Sequence, residues 1–194
     1  MDFLLDLDQS LFVFLNSLGS VTFDSIWLFI SESNIIEAVY LFLVIGFLWF
    51  FKIKDLKSIL IFLLSMILMI VFTDQSSNFF KEFFERLRPC HNPELIEIIR
   101  IVKNGCGGLY GFFSAHAANT FAFATFMYFL TPNERKYKRT SFFLFIWAAI
   151  ISYSRIYIGV HFPLDILIGA VYGFLSGYFF HKPFLYFKKS KLLL

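Results

Sequence analysis

From Ile59 to Phe72 the chain carries one polar side chain, Ser65, and no charge. Crossing the hydrocarbon core of a bilayer takes about 20 mostly apolar residues in a helix. Four segments meet that need: roughly Ile35–Phe51, Leu56–Phe72, Phe112–Leu130 and Ser141–Ile158. A fifth, Pro163–Phe180, meets it less fully. Composition explains why a soluble fold is the wrong frame. The chain is 58% hydrophobic and 16% charged, with 30 Phe among 194 residues. Soluble domains are roughly 45–50% apolar and about 25% charged. A single domain of this size cannot hide that much Phe, Leu and Ile from water, so its solvent is lipid. The expected fold class is all-α, a polytopic membrane bundle of about five transmembrane helices.

The first 34 residues differ. Phe3, Leu4, Leu11, Phe12, Phe14 and Leu15 alternate with Asp, Gln, Ser and Asn, and Gly19 interrupts the pattern. This reads as one or two amphipathic helices lying at the interface, or as an imperfect sixth span. Asp2, Asp6 and Asp8 with no Lys or Arg are the opposite of a secretory signal's basic start, so the chain is read as mature. No internal repeat, low-complexity tract or linker divides the rest. The organisation expected is 1–34 as interfacial helices and 35–194 as the membrane core.

Basic residues cluster in three places. Lys52, Lys54 and Lys57 lie in one connector; Arg135, Lys136, Lys138 and Arg139 in another; Lys182, Lys188, Lys189 and Lys191 in the tail. These are most of the 17 Lys and Arg. With five spans all three fall on one side, which the positive-inside rule makes cytoplasmic. The segment 74–111 and the turn 159–162 then lie outside. The net charge of +3 is too small to suggest nucleic acid as a partner. Cys90 and Cys106 share the outer segment, where an oxidising compartment permits a disulfide; two free thiols are the other reading.

Three polar clusters stand at the expected outer ends of spans, where ionisable groups are costly. Residues 81–89 hold Lys81, Arg88 and Pro89. A spacing of seven puts both cations on one face of a helix that Pro89 limits. They suit a phosphate, although Glu82, Glu85 and Arg86 fit a solvated ion-pair face equally well. Residues 113–116 open the third span with Phe113, Ser114, Ala115 and His116. Ser114 is an expected N-cap, and a helix N-terminus offers free N–H groups to an anion. His116 alone reads equally as a structural hydrogen-bonding histidine. Residues 154–165 hold Ser154, Arg155, His161 and Asp165. Asp165 shares a helical face with His161 if the turn between them is helical, and a carboxylate on one imidazole nitrogen frees the other for attack. Arg155 adds a permanently charged fork. No residues show metal-ligand spacing and no glycine-rich nucleotide loop is present. The set suits phosphoryl transfer without a cofactor.

These motifs resemble the type 2 phosphatidic acid phosphatase superfamily, whose signature is Lys-x(6)-Arg-Pro, Pro-Ser-Gly-His, then Ser-Arg-x(5)-His-x(3)-Asp. The first and third elements match at every defined position; in the second, Phe113 and Ala115 replace Pro and Gly. The resemblance implies a membrane phosphatase that needs no metal. It implies His161 as the nucleophile that forms phosphohistidine, Asp165 as its orienting group and His116 as general acid and then base. It assigns Lys81, Arg88, Arg155, Ser114 and the Ala115 N–H to the phosphate. Ala115 is expected to be tolerated if that position is helical. The substrate expected first is undecaprenyl pyrophosphate, with phosphatidylglycerophosphate and lipid A as alternatives, acted on at the periplasmic face of a bacterial inner membrane. A non-catalytic lipid binder and a phosphatase for soluble substrates are the competing classes. Gly169, Gly173 and Gly177 recur every four residues and allow close helix approach, inside the monomer or in a homodimer.

Overall fold

In lipid, every backbone N–H and C=O has to find its partner within the chain. The computed structural model, which describes residues 2–103, 105–131 and 133–191, meets this with helices. They are α1 (Asp2–Ser17), α2 (Val21–Ser31), α3 (Ser33–Phe50), α4 (Leu56–Phe84), α5 (Ala115–Leu130), α6 (Arg135–Tyr157), α7 (Pro163–Phe180) and α8 (Lys182–Lys191). The long connector after α4 holds a 3-10 turn at Pro89–His91 and an isolated bridge between Leu87 and Tyr110. The all-α membrane bundle is as expected. By length and apolarity, Leu56–Phe84, Tyr137–Tyr157 and Pro163–Phe187 can each cross a membrane. The pair α1 and α2, bent by 114°, would make a fourth if it counts as one span. Helix α5 has 16 residues, about 24 Å at 1.5 Å per residue. Instead of length it has enclosure: Ala118, Ala122, Phe123 and Phe126 are buried among α4, α6 and α7.

Lipid tails are as apolar as Leu, so helices associate here through close packing and polar contacts. The α5–α7 pair shows both. A Cβ on Gly169 would lie 2.7 Å from the Ser114 carbonyl oxygen, one on Gly173 2.2 Å from that of Ala118, and one on Gly177 2.4 Å from that of Ala122. The glycine stripe is therefore filled by α5 within the chain. Helix α4 is stitched on by Ser77 Oγ, which donates to the Phe113 carbonyl at 2.9 Å, and by Tyr172 OH, which donates to Ser76 Oγ at 2.7 Å. Thr73 also bonds Asn119. Phe47, Phe62, Phe126 and Phe184 knit α3, α4, α5 and α8. Outward, Phe42, Ile45, Trp49, Leu60, Leu64 and Phe72 are exposed, an apolar surface suited to acyl chains.

The basic regions gather at one end of this bundle. Phe51 at the end of α3 packs on Tyr137 of α6 at 5.7 Å, and Lys57 of α4 lies over the Phe187 ring of α8 at 4.8 Å. The side chains of Lys136, Lys188, Lys189 and Lys191 lie outside the described residues. The three polar clusters occupy the opposite end. There α1 docks through Asn16, whose Nδ2 donates to the carbonyls of Arg100, Ile156 and Tyr157 and whose Oδ1 accepts from Arg100 N–H.

Gly173→Ala drives a methyl group into the Ala118 carbonyl and forces α5 and α7 apart. Overpacking of this kind costs about 1–3 kcal/mol. The variant is expected to melt below the wild type in detergent, and an unchanged melting temperature would contradict the packing.

Candidate active site

Helix α4 stops before its cations can share a face. Glu85 takes a left-handed conformation (φ 48°) and its N–H donates to the Lys81 carbonyl, closing the helix at Phe84. The expectation of a helix running through Arg88 to Pro89 is corrected: beyond Glu85 the chain is extended, and Pro89 starts the 3-10 turn. Arg88 instead reaches the site through the connector between α4 and α5. Its backbone N–H donates to the Leu109 carbonyl, its Nε to the Tyr110 carbonyl at 3.1 Å and its Nη1 to the Cys106 carbonyl at 2.8 Å. Cys106 is bonded to Cys90, with the Cα atoms 6.2 Å apart. The disulfide therefore staples the loop whose carbonyls hold Arg88. His91 lies beside the pair, but with the sulfurs bonded to one another the three do not form a ligand set.

His161 and Asp165 also meet by a route other than the one expected. Phe162 is extended (ψ 156°) and α7 begins at Pro163, so the two residues share no helical face. Asp165 lies in the first turn of α7 and folds back. Its Oδ2 accepts the Phe162 N–H at 3.0 Å and lies 3.4 Å from His161 Nδ1. This leaves Nε2 as the nitrogen for chemistry. His161 is 2% exposed. Burial pushes its imidazole down to about 4, against the pull of Asp165, so the ring is neutral near pH 7. A neutral ring is the nucleophilic form.

Ser114 is the N-cap of α5, its Oγ accepting the Ala117 N–H at 3.4 Å. Ala115 is the first residue of that helix, so its methyl group meets no conformational obstacle. The Ser114 N–H donates to the Asp165 carbonyl at 3.1 Å, which fixes the start of α5 against α7. His116, the second residue of α5, has Arg155, His161, Lys103 and Lys81 as its electrostatic neighbours. Arg155 is buried in the last turn of α6, where its Nη1 donates to the Ser31 carbonyl at 3.2 Å and also bonds the Ser31 hydroxyl. Its Nε is buried without a partner. Lys81, half-buried in the last turn of α4, interacts electrostatically with Arg88, Asp74, Arg155 and Asp165. The three motifs thus converge at one end of the bundle. Lys81, Arg88 and Arg155 repel one another, with Asp165 and, beside Lys81, Asp74 as the carboxylates, and an anion between the cations would relieve that repulsion.

Sequence reasoning missed four residues. Ser31 of α2 holds Arg155. Gly111 closes the site: a Cβ there would lie 3.2 Å from Asp165 Oδ2, 3.2 Å from Arg88 Cγ and 3.6 Å from His161 Nδ1. Arg86, read as one member of an exposed ion-pair face, turns inward to Asp165, with Nη1 2.7 Å from Oδ1. Asp8, read only as an acid at the N-terminus, is buried and bonds Arg86. No spacing rule announces any of the four, because each is positioned by a loop or by a helix distant in sequence.

Residues 58–189, which include all three motifs, match the PAP2 superfamily. Over 190 residues the chain is 35% identical to the lipid A 4′-phosphatase of Porphyromonas gingivalis, spanning 96% of this chain and 76% of that protein. It is 33% identical over 188 residues to the lipid A 4′-phosphatase of Bacteroides thetaiotaomicron, spanning 93% and 78%. The fold is similar to the crystal structure of Aquifex aeolicus LpxE, with a TM-score of 0.63, 25% identity and coverage of 91% and 95%. It is also similar to that of a transmembrane PAP2-type phosphatidylglycerolphosphate phosphatase from Bacillus subtilis, with a TM-score of 0.68 and coverage of 93% and 85%. At 20% identity this second likeness speaks for the fold alone. The match over most of the chain and the high-coverage relatives lead to one conclusion: this chain belongs to the PAP2 superfamily and is a membrane lipid phosphatase.

Proposed function

We propose that this phosphatase removes the 4′-phosphate from lipid A through a phosphohistidine on His161, at the outer face of a bacterial inner membrane. The observation that carries the chemistry is the buried, neutral His161 held by Asp165 among Lys81, Arg88 and Arg155. The substrate rests on two relatives, both lipid A 4′-phosphatases, aligned over nearly the whole chain. Undecaprenyl pyrophosphate, the first expectation from sequence, has no such support, and the lipid A alternative takes its place. The reading of the chain as a non-catalytic lipid binder gives way to the enzyme. The gathering of the basic connectors at the end opposite the site supports an outward-facing site and a cytoplasmic C-terminus.

The chemistry runs in two displacements. His161 Nε2 attacks phosphorus and forms the N–P bond while the ester P–O bond breaks. His116 gives its proton to the departing sugar oxygen. Deprotonated His116 then takes a proton from water, whose oxygen attacks phosphorus. The N–P bond breaks, phosphate leaves and His161 is restored. Asp165 holds the Nδ1 proton in both steps and balances the charge on the ring. Lys81, Arg88 and Arg155, with the N–H groups at the start of α5, neutralise the phosphoryl oxygens as charge moves across them. None of these steps calls on a metal.

Phosphate release by the purified protein in detergent with EDTA is the direct test. Lipid A bearing both phosphates is expected to react faster than phosphatidylglycerophosphate, phosphatidic acid or undecaprenyl pyrophosphate, and His161→Ala to abolish release. Faster release from undecaprenyl pyrophosphate would reassign the substrate; loss of activity in EDTA would contradict the metal-free mechanism. The depressed His161 also sets the acid limb of kcat/KM. The nucleophile stays neutral until the pH nears 4, so the limb is expected below pH 5. A midpoint at the ordinary value of about 6.5 would contradict the burial.

A further inference from the structure

Of the four arginines outside the basic connectors, Arg86 alone spends both ends of its guanidinium on carboxylates. Nη1 donates to Asp165 Oδ1 at 2.7 Å and Nη2 to Asp8 Oδ2 at 2.5 Å. Its face lies over the Phe162 ring at 4.3 Å. Phe162 is backed in turn by Phe12 of α1, with ring centroids 5.3 Å apart. The Arg86 carbonyl accepts the Gly111 N–H at 2.8 Å, which ties its backbone to the loop that closes the site. Asp8 completes the chain, its Oδ1 accepting the Leu164 N–H at 2.8 Å at the start of α7. Asp165 is 0% exposed and Asp8 6%.

This geometry gives Arg86 a different task from Arg88 and Arg155. Both of its Nη groups are committed to Asp8 and Asp165, and its plane is stacked. Asp165 meanwhile has two oxygens with separate duties: Oδ2 faces His161 Nδ1 and the Phe162 N–H, and Oδ1 faces Arg86. A carboxylate that has left water needs a counter-charge, and a neutral imidazole is not one. Remove Arg86 and Asp165 is free to rotate or to draw the proton off His161 Nδ1. Either change misplaces the nucleophilic nitrogen. Resting on the phosphohistidine reading above, we infer that Arg86 is a positioning residue of this phosphatase: it fixes and balances Asp165, and through Asp8 it makes the amphipathic helix α1 part of the catalytic centre. The chain of contacts runs Asp8, Arg86, Asp165, His161, from the first helix to the reacting nitrogen.

The test compares full-length wild type, Arg86→Ala, Arg86→Lys and Asp8→Asn in detergent, by initial rates of phosphate release from lipid A bearing both phosphates. Gel filtration and melting curves show which variants fold. Groups that orient a reacting side chain from behind are worth about 10–100-fold in activity. Arg86→Ala is expected to lower kcat by that factor with KM within about twofold. Arg86→Lys, which retains one charge, should recover part of the loss. Asp8→Asn, which leaves the shape of α1 intact, should lower kcat by a smaller factor. Added guanidinium at millimolar concentration should restore rate to Arg86→Ala and leave wild type unchanged, which a purely architectural arginine would not allow. A folded Arg86→Ala with wild-type kcat overturns the inference. So does a raised KM at unchanged kcat, which would place Arg86 on the substrate. If Arg86→Ala does not fold, Asp8→Asn and Arg86→Lys decide, and wild-type kcat in both overturns it. Wild-type protein that releases no phosphate from any lipid phosphate fails the underlying reading, and the inference falls with it. Active wild type with unaffected variants fails the inference alone.

Discussion

Asp165 has no exposed surface, and a carboxylate in that position must be satisfied by the protein around it. Much of this end of the bundle is arranged to do so. Its side chain takes the Phe162 N–H, the His161 ring and Arg86; its backbone carbonyl takes the Ser114 N–H at the head of α5. One residue thereby sets the start of α7, the orientation of the His161 ring and the position of the N-terminal end of α5. The glycine stripe on α7 serves the same end, since the bond from Ser114 exists only because α5 and α7 lie almost backbone to backbone.

The charges around that point are balanced by place as much as by number. Lys81, Arg88 and Arg155 come from the end of α4, the disulfide-stapled loop and the end of α6. Carbonyls grip Arg88; Ser31 grips Arg155. Arg88 and Arg155 act electrostatically on His161, and Arg155 and Lys81 on His116. Preorganised cations of this kind stabilise charge that moves during phosphoryl transfer without having to reorient. Close-packed helices supply the rigidity, and the surface around them is apolar.

Much of this was legible in the sequence because its signals are local. Apolar runs located α3 through α7, although α3 and α5 are shorter than a full span, and the motif residues stand out by their own charged and titratable side chains. The N-cap at Ser114 and the tolerance of Ala115 followed from the rules of helix starts. What sequence misread was the backbone between those residues. Nothing at Glu85 resembles a helix stop, since neither Gly nor Asn stands there, so Lys81 and Arg88 were placed on one helix that in fact ends at Phe84. His161 and Asp165 do lie together, but across an extended Phe162 and not along the shared face that a helical turn would have given. Arg86 and Asp8 were invisible for a different reason. Their meaning lies in contacts between residues 78 and 79 positions apart, and a charged residue near other charges reads as a solvated face until the fold turns it inward.

The central claim is that His161 carries the phosphoryl group, and a covalent trap tests it most directly. Enzyme mixed with lipid A radiolabelled in the phosphate and quenched within milliseconds should retain label in a bond that acid breaks and base spares, as a phosphoramidate does. Peptide mapping should place it on His161. The label should persist longer in His116→Ala, which lacks the base for water. Label on another residue, or none in an enzyme that turns over, would contradict the account.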